Sequence, residues 1–209
     1  MFTTFNQCLQ QSSDYLLDFH CNPYPAMCFA LYGLSDNQEV GLKSHALARA
    51  FGITTIEMRL DLEAHRTGTM MEAAHRLGKP MIVVELFPWR RIDPLAVEVG
   101  VRGALNVMKS LEMIVGEPEP QEGIVILEGK LTRVEILANT GGIVIPVKGI
   151  DEPVSQGEIV GMLMDGYGDV VEEFRSPVDG WLLAWPYDNQ AAGTGDLVAM
   201  IALKQQGRQ

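Results

Sequence analysis

The sequence predicts an α/β layered domain followed by a small all-β unit, and three observations carry that expectation. Over the first half of the chain, short continuous apolar runs alternate with stretches of helical period. The composition then breaks at residues 115–123, "VGEPEPQEG". Beyond the break a segment repeats itself at an offset of 38 residues, Gly142 matching Gly180.

Residues 15–21, "YLLDFHC", 27–32, "MCFALY", and 81–86, "MIVVEL", read as central strands, because unbroken apolar runs of this length suit strands covered on both faces. The first runs out into a loop broken by Pro23 and Pro25. A helix is expected over 37–51, starting behind Ser35 and Asp36 and stopping at Gly52, and a second over 68–77, stopping at Gly78. A third runs from Pro94 to about Ile114. Its apolar positions Leu95, Val99, Ala104, Leu105, Met108, Leu111 and Met113 fall near helical spacing, with Asp93 as cap. The Pro, Gly and Glu of residues 115–123 read as a linker, which divides the chain into domains of 1–117 and 118–209.

Past the linker no stretch has helical period. The segment from Gly141, "GGIVIPVKGIDEPVSQGEIVGML", aligns without gaps to that from Asp179, "DGWLLAWPYDNQAAGTGDLVAMI". Gly157 matches Gly195, Glu158 matches Asp196, and Ile159, Val160 and Met162 match Leu197, Val198 and Met200. Two similar half-units suit a small barrel or sandwich closed by pseudo-twofold symmetry. This half resembles the barrel-sandwich fold of biotinyl and lipoyl domains over about residues 122–204. A carrier domain needs a lysine on the hairpin between its halves, and "MDGYGDVVEEF", 164–174, has none.

The totals exclude several classes. No run of 18 or more apolar residues occurs and the amino terminus lacks the pattern of a signal peptide, so a soluble, cytoplasmic protein without membrane partners is expected. Cys8, Cys21 and Cys28 are an odd number without paired spacing, which suits reduced thiols. A net charge of -11 argues against nucleic acid, since phosphate contacts need clustered Lys and Arg. Small molecules or protein surfaces are the expected partners. His45, His65 and His75 stand among polar or small residues and read as solvated, and Met70, Met71, Met108 and Met113 as packing.

Two places stand out chemically. Asp18 and His20, two apart on a strand, point the same way, and a histidine at a strand end is a common position for a metal ligand that a nearby aspartate orients. The other reading is a histidine hydrogen-bonded into the rim of the core. Glu85 follows four apolar residues of a buried strand, where a carboxylate is costly unless paired or solvated. It is either a general base or a carboxylate beyond the sheet, solvated or paired with Arg90 or Arg91.

Taken together, "LDFH", "KPMIVVEL", "IDPLAVEVGVRGALNVM", "RSPVDGWLL" and "GTGDLVAMIA" resemble the succinylglutamate desuccinylase/aspartoacylase family, zinc hydrolases with a carboxypeptidase-like α/β domain and a carboxy-terminal β domain. The resemblance spans nearly the whole chain from about residue 14. It implies a mixed sheet with helices, zinc as cofactor, His20 as zinc ligand, Asp18 as the residue that orients it, and Glu85 as the base that activates water. The implied substrate is an N-acyl amino acid or a similar small amide. The chain departs from the family in having no H-x-x-E anywhere, where the family draws two further zinc ligands, and no Asn-Arg element for the substrate carboxylate. It therefore resembles an amino-terminally truncated member, with the second half of the α/β domain and a whole β domain. Half of a doubly covered sheet would expose strand edges, so self-association into a homo-oligomer is expected. Two functions follow from the resemblance: a deacylase completed by donors from elsewhere, or a catalytically silent binding or self-association module.

Overall fold

A computed structural model describes residues 7, 12–60, 62, 69–86 and 92–204. By their contacts these fall into two units, one of residues 12–20, 28–86 and 92–128, the other of 21–27 and 129–204. His65, Arg90, Arg91 and Cys8 lie outside the described residues.

The first unit is a mixed sheet with helices. Its strands are β1 (Leu16–Cys21), β2 (Phe29–Leu34), β3 (Thr54–Arg59) and β4 (Met81–Leu86), in the order β1-β4-β2-β3. β2 pairs parallel with β3 and antiparallel with β4. β2 and β4 are the covered strands the apolar runs anticipate, with Ala30, Ile82 and Val84 fully buried. The expectation for 15–21 is corrected: β1 ends the strand order and exposes Phe19, His20 and Cys21, because among the described residues no further strand lies on its outer side. β3 was not anticipated. "TTIEMR" buries Thr54 and Ile56 and leaves Thr55 and Glu57 only partly covered, an alternation with four polar residues in it rather than an apolar run.

Among the described residues three helices cover this sheet: α1 (Gln38–Phe51), α2 (Met70–Arg76) and α3 (Pro94–Ser110). Each begins at a side-chain cap that accepts an otherwise unpaired amide of the first turn. Asn37 accepts from Val40, Thr69 from Glu72, and Asp93 from Leu95 and Ala96. α3 stops at Ser110 rather than Ile114, and Met113 is exposed instead of packed. α1 is tied to β4 by the buried Ser44 hydroxyl, which accepts from the Met81 amide.

The stretch 115–123, expected as a linker, is held to this unit. Asn106 on α3 donates to the Glu119 carbonyl at 2.7 Å and accepts from its amide at 2.8 Å. The buried Gln121 amide donates to the carbonyls of Phe51 and Val99. Composition correctly marks this segment as irregular; side chains from the helices decide that it is docked.

The second unit contains no helix among its described residues. Its strands are β5 (Leu131–Leu137), β6 (Gly142–Pro146), β7 (Pro153–Val154), β8 (Ile159–Met164), β9 (Val170–Arg175), β10 (Gly180–Ala184), β11 (Ala191–Ala192) and β12 (Leu197–Lys204). They form the orders β5-β12-β10-β7 and β11-β6-β8-β9, and buried residues of both, among them Val144, Leu163, Phe174, Leu182, Val198 and Ile201, make one apolar cluster.

The sequence repeat is a repeat of structure down to single hydrogen bonds. β6, β7 and β8 begin at residues 142, 153 and 159, and β10, β11 and β12 at 180, 191 and 197, each 38 later. The small strands are exchanged between halves: Val154 lies opposite Gly180, and Ala192 opposite Gly142. Gly157 donates to the Ser176 carbonyl as Gly195 donates to that of Ala138, again 38 apart. The repeated glycines have two different causes. Gly157 and Gly195 sit at φ of 82° and 85°, a backbone region that side chains disfavour. A Cβ on Gly142 would stand 2.5 Å from the Met164 carbonyl oxygen, and one on Gly180 2.3 Å from that of Ala202.

The loop after β1 belongs to this second unit. Met27 donates to the Leu183 carbonyl and Trp185 to that of Pro25, with an isolated bridge between Ala26 and Ala184. Among the described residues no helix is long and apolar enough to cross a membrane.

Candidate catalytic rim around His20 and Glu85

β1 is aligned beside β4 by a bond from the Leu16 amide to the Pro80 carbonyl, 3.1 Å. Alternation along β1 then puts Asp18 and His20 on one side, and Asp18 Oδ2 lies 3.1 Å from His20 Nε2. The other ring nitrogen, Nδ1, faces Glu85 Oε1 of β4 at 4.0 Å. The imidazole thus stands between two carboxylates contributed by neighbouring strands. Its side chain is 50% exposed, that of Asp18 28% and that of Glu85 17%. At that exposure such pairs contribute about 0–1 kcal/mol each, so the arrangement is poorly explained as a device for stability.

Chemically, a carboxylate at one imidazole nitrogen selects the tautomer and turns the ring, leaving the opposite nitrogen directed at whatever enters. That opposite nitrogen is on the Glu85 side. A half-buried carboxylate there can accept a proton from water and return it to a leaving group.

A catalytic zinc takes three protein ligands and keeps one position open. Among the described residues no group of three or more His, Cys, Asp or Glu side chains is placed to hold a metal, and one nitrogen of His20 is already engaged by Asp18. The described residues therefore do not fit a zinc site on their own. Cys21 follows His20 on an exposed strand end, and Cys28 is buried.

Of the other described histidines, His75 is buried and His45 half-buried, not solvated as expected. His45 stacks on Tyr32, ring centroids 4.6 Å apart, and the Tyr32 hydroxyl donates to Glu57 Oε2 at 3.0 Å. Burial, reinforced by the Glu57 charge, pushes the Tyr32 hydroxyl well above its ordinary pKa. His75 is 2% exposed, with Nδ1 3.1 Å from Ser35 Oγ, and burial lowers its pKa. Small neighbours such as Ala73 and Ala74 made α2 look polar, but small residues are what let a helix pack closely enough to bury a histidine. Tyr32 and Glu57 are register partners on the parallel pair β2 and β3, so recognising the polar alternation of residues 54–59 as a strand would have found them.

The model of the succinylglutamate desuccinylase/aspartoacylase catalytic domain matches residues 2–111, more than half of the chain. Solved structures with the same fold include a succinylglutamate desuccinylase from Silicibacter sp. TM1040, 18% identical, with a TM-score of 0.80 over 97% of this chain and 62% of the other. Another is a succinylglutamate desuccinylase/aspartoacylase from Rhodobacter sphaeroides, 21% identical, with a TM-score of 0.83 over 98% of this chain and 62% of that one. The product-bound ectoine utilization protein EutE (DoeB) from Ruegeria pomeroyi is 18% identical, with a TM-score of 0.79 over 95% and 62%. At these identities the likeness is one of fold, and the chain spans about 62% of the length of these proteins. No curated protein matches the sequence.

Proposed function

Because the chain belongs to the succinylglutamate desuccinylase/aspartoacylase family, we propose that it presents His20 and Glu85 to the amide bond of an N-acyl amino acid or a similar small amide. The carrying observation is the convergence of Asp18, His20 and Glu85 at one end of two adjacent strands, at 3.1 and 4.0 Å, where the pairs have little stabilising value. In this reading Glu85 takes a proton from water as the oxygen attacks the acyl carbon, and passes it to the amine nitrogen as the C–N bond breaks, giving a carboxylate and a free amine. His20, oriented by Asp18, would be one metal ligand, with the further donors supplied from elsewhere than this chain. The second unit is read as a barrel-sandwich, supported by its exchanged half-units and single apolar cluster.

Zinc titration followed through the imidazole nitrogen resonances tests the role of His20. The expected result is weak binding that perturbs His20 first, is lost in His20→Ala, and leaves protein purified without chelator well below one zinc per chain and unable alone to hydrolyse N-acyl amino acids. Tight stoichiometric zinc, or zinc that perturbs another histidine and spares His20, refutes the assignment.

A self-association module is the second reading. It is favoured by Val97, Val101 and Leu105, a stripe at helical spacing on the exposed face of α3, together with exposed Tyr15 and Phe19 near β1. Light scattering showing a monodisperse monomer at tens of micromolar removes it.

A further inference from the structure

The sheet of the first unit has a second end, and a cavity opens there. In the antiparallel register of β2 and β4, Glu85 stands opposite Phe29 at the start of β2, whereas Leu34 and Arg59 close β2 and β3 side by side at the far end. Beyond the carboxyl ends of parallel strands the chain turns into loops and helix amino-termini, which is why open α/β sheets bind ligands there. A cavity of about 320 Å³ opens at this place, lined by Leu34, Ser35, Asp36, Leu42, Arg59 and Leu60. Its size falls in the range of small-molecule sites, roughly 300–1,000 Å³.

We propose that this cavity binds a small zwitterion, an α-amino acid with an aliphatic side chain. Among the described residues neither the Asp36 carboxylate nor the Arg59 guanidinium has a partner, although both face one cavity. A ligand with one charge would satisfy one of them and be opposed by the other. An α-amino acid brings an ammonium for Asp36 and a carboxylate for Arg59. The apolar wall completes the match. Leu42 is 69% exposed on α1, and with Leu34 and Leu60 it gives an aliphatic side chain a surface to cover. The wall is also held in shape: Ser35 is hydrogen-bonded to the buried His75, and a Cβ on the preceding Gly33 would come within 2.5 Å of Leu60 and 2.9 Å of His75 Nε2.

Isothermal titration calorimetry on the full chain tests this with three probes: L-leucine, N-acetyl-L-leucine, which lacks the ammonium, and L-leucinamide, which lacks the carboxylate. L-leucine should bind at millimolar concentration or better, and each analogue should bind about tenfold more weakly, the consequence of losing one charge-assisted contact. Asp36→Asn and Arg59→Gln should each weaken L-leucine by a similar factor, while His20→Ala leaves it unchanged, which separates this site from the rim. Both substituted side chains are exposed, and circular dichroism verifies that the variants fold. The proposal is overturned by no binding of L-leucine at about 10 mM. It is equally overturned by an analogue that binds as well as L-leucine, or by binding that Arg59→Gln spares and His20→Ala abolishes. Because the readout is binding, it stands or falls independently of any hydrolytic activity.

Discussion

Two glycines three residues apart on α3 should respond to the same substitution with opposite signs. A Cβ on Gly103 would stand 2.3 Å from two ring carbons of Phe51 and 2.5 Å from a third. Phe51 is fully buried, so its ring has no free volume to turn into. A Cβ on Gly100 would meet Leu86 at 3.3 Å and Phe19 at 3.6 Å, and Phe19 is 47% exposed and can yield. Alanine in place of glycine favours a helix interior by about 1 kcal/mol in either position. At Gly103 that gain is set against overpacking, which costs about 1–3 kcal/mol and sits at the upper end when a rigid ring is the obstacle. Gly103→Ala should therefore lower stability by about 1–2 kcal/mol and Gly100→Ala raise it by up to about 1 kcal/mol, a spread of several degrees in Tm for a chain of this size. Thermal and urea unfolding followed by circular dichroism reads both. Phe51→Leu in the Gly103→Ala background should recover part of the loss, showing coupling between two residues in contact. Equal effects at the two glycines, or no coupling with Phe51, would refute the account of how α3 is seated against Phe51 of α1 at Gly103 and against Leu86 and Phe19 at Gly100.

Three further outcomes are expected. His75 has a folded pKa below its unfolded value of about 6.5, so below that pH the unfolded chain binds the extra proton and stability falls as pH drops. Urea midpoints at pH 7.5 and 5.5 should show this loss, and His75→Leu should flatten it; an unchanged slope contradicts the burial. Gly142→Ala and Gly180→Ala each drive a methyl into a cross-strand carbonyl, and each should cost about 3 kcal/mol by chemical denaturation, whereas a near-neutral effect at either would contradict the close strand approach. Asn106→Ala removes both bonds to the Glu119 backbone, for a loss of about 2 kcal/mol, and should expose residues 115–121 to limited proteolysis; uncut protein would mean that Gln121, Arg102 and Lys109 suffice to hold the segment.

What the sequence determined by itself is what lies in short windows and in self-similarity. β2 and β4 are legible because a strand buried on both faces needs an unbroken apolar run, and the helices because capping and helical spacing are local. The 38-residue repeat announces the second unit because its glycines recur for the same local reason, a positive φ at Gly157 and Gly195 or a backbone too close for a Cβ at Gly142 and Gly180. Alternation along one strand likewise sufficed to put Asp18 and His20 on one side. Tertiary structure decided the rest. No local rule says that β4 lies next to β1, and only that strand order brings Glu85 to His20. Nor does any local rule make β1 the end of the order and so leave His20 exposed, or bury His75 against Ser35. The second end of the sheet has the same origin: Arg59 reaches the cavity because β3 runs parallel to β2, and a parallel pairing joins residues through a crossover whose partner no short window of sequence can identify.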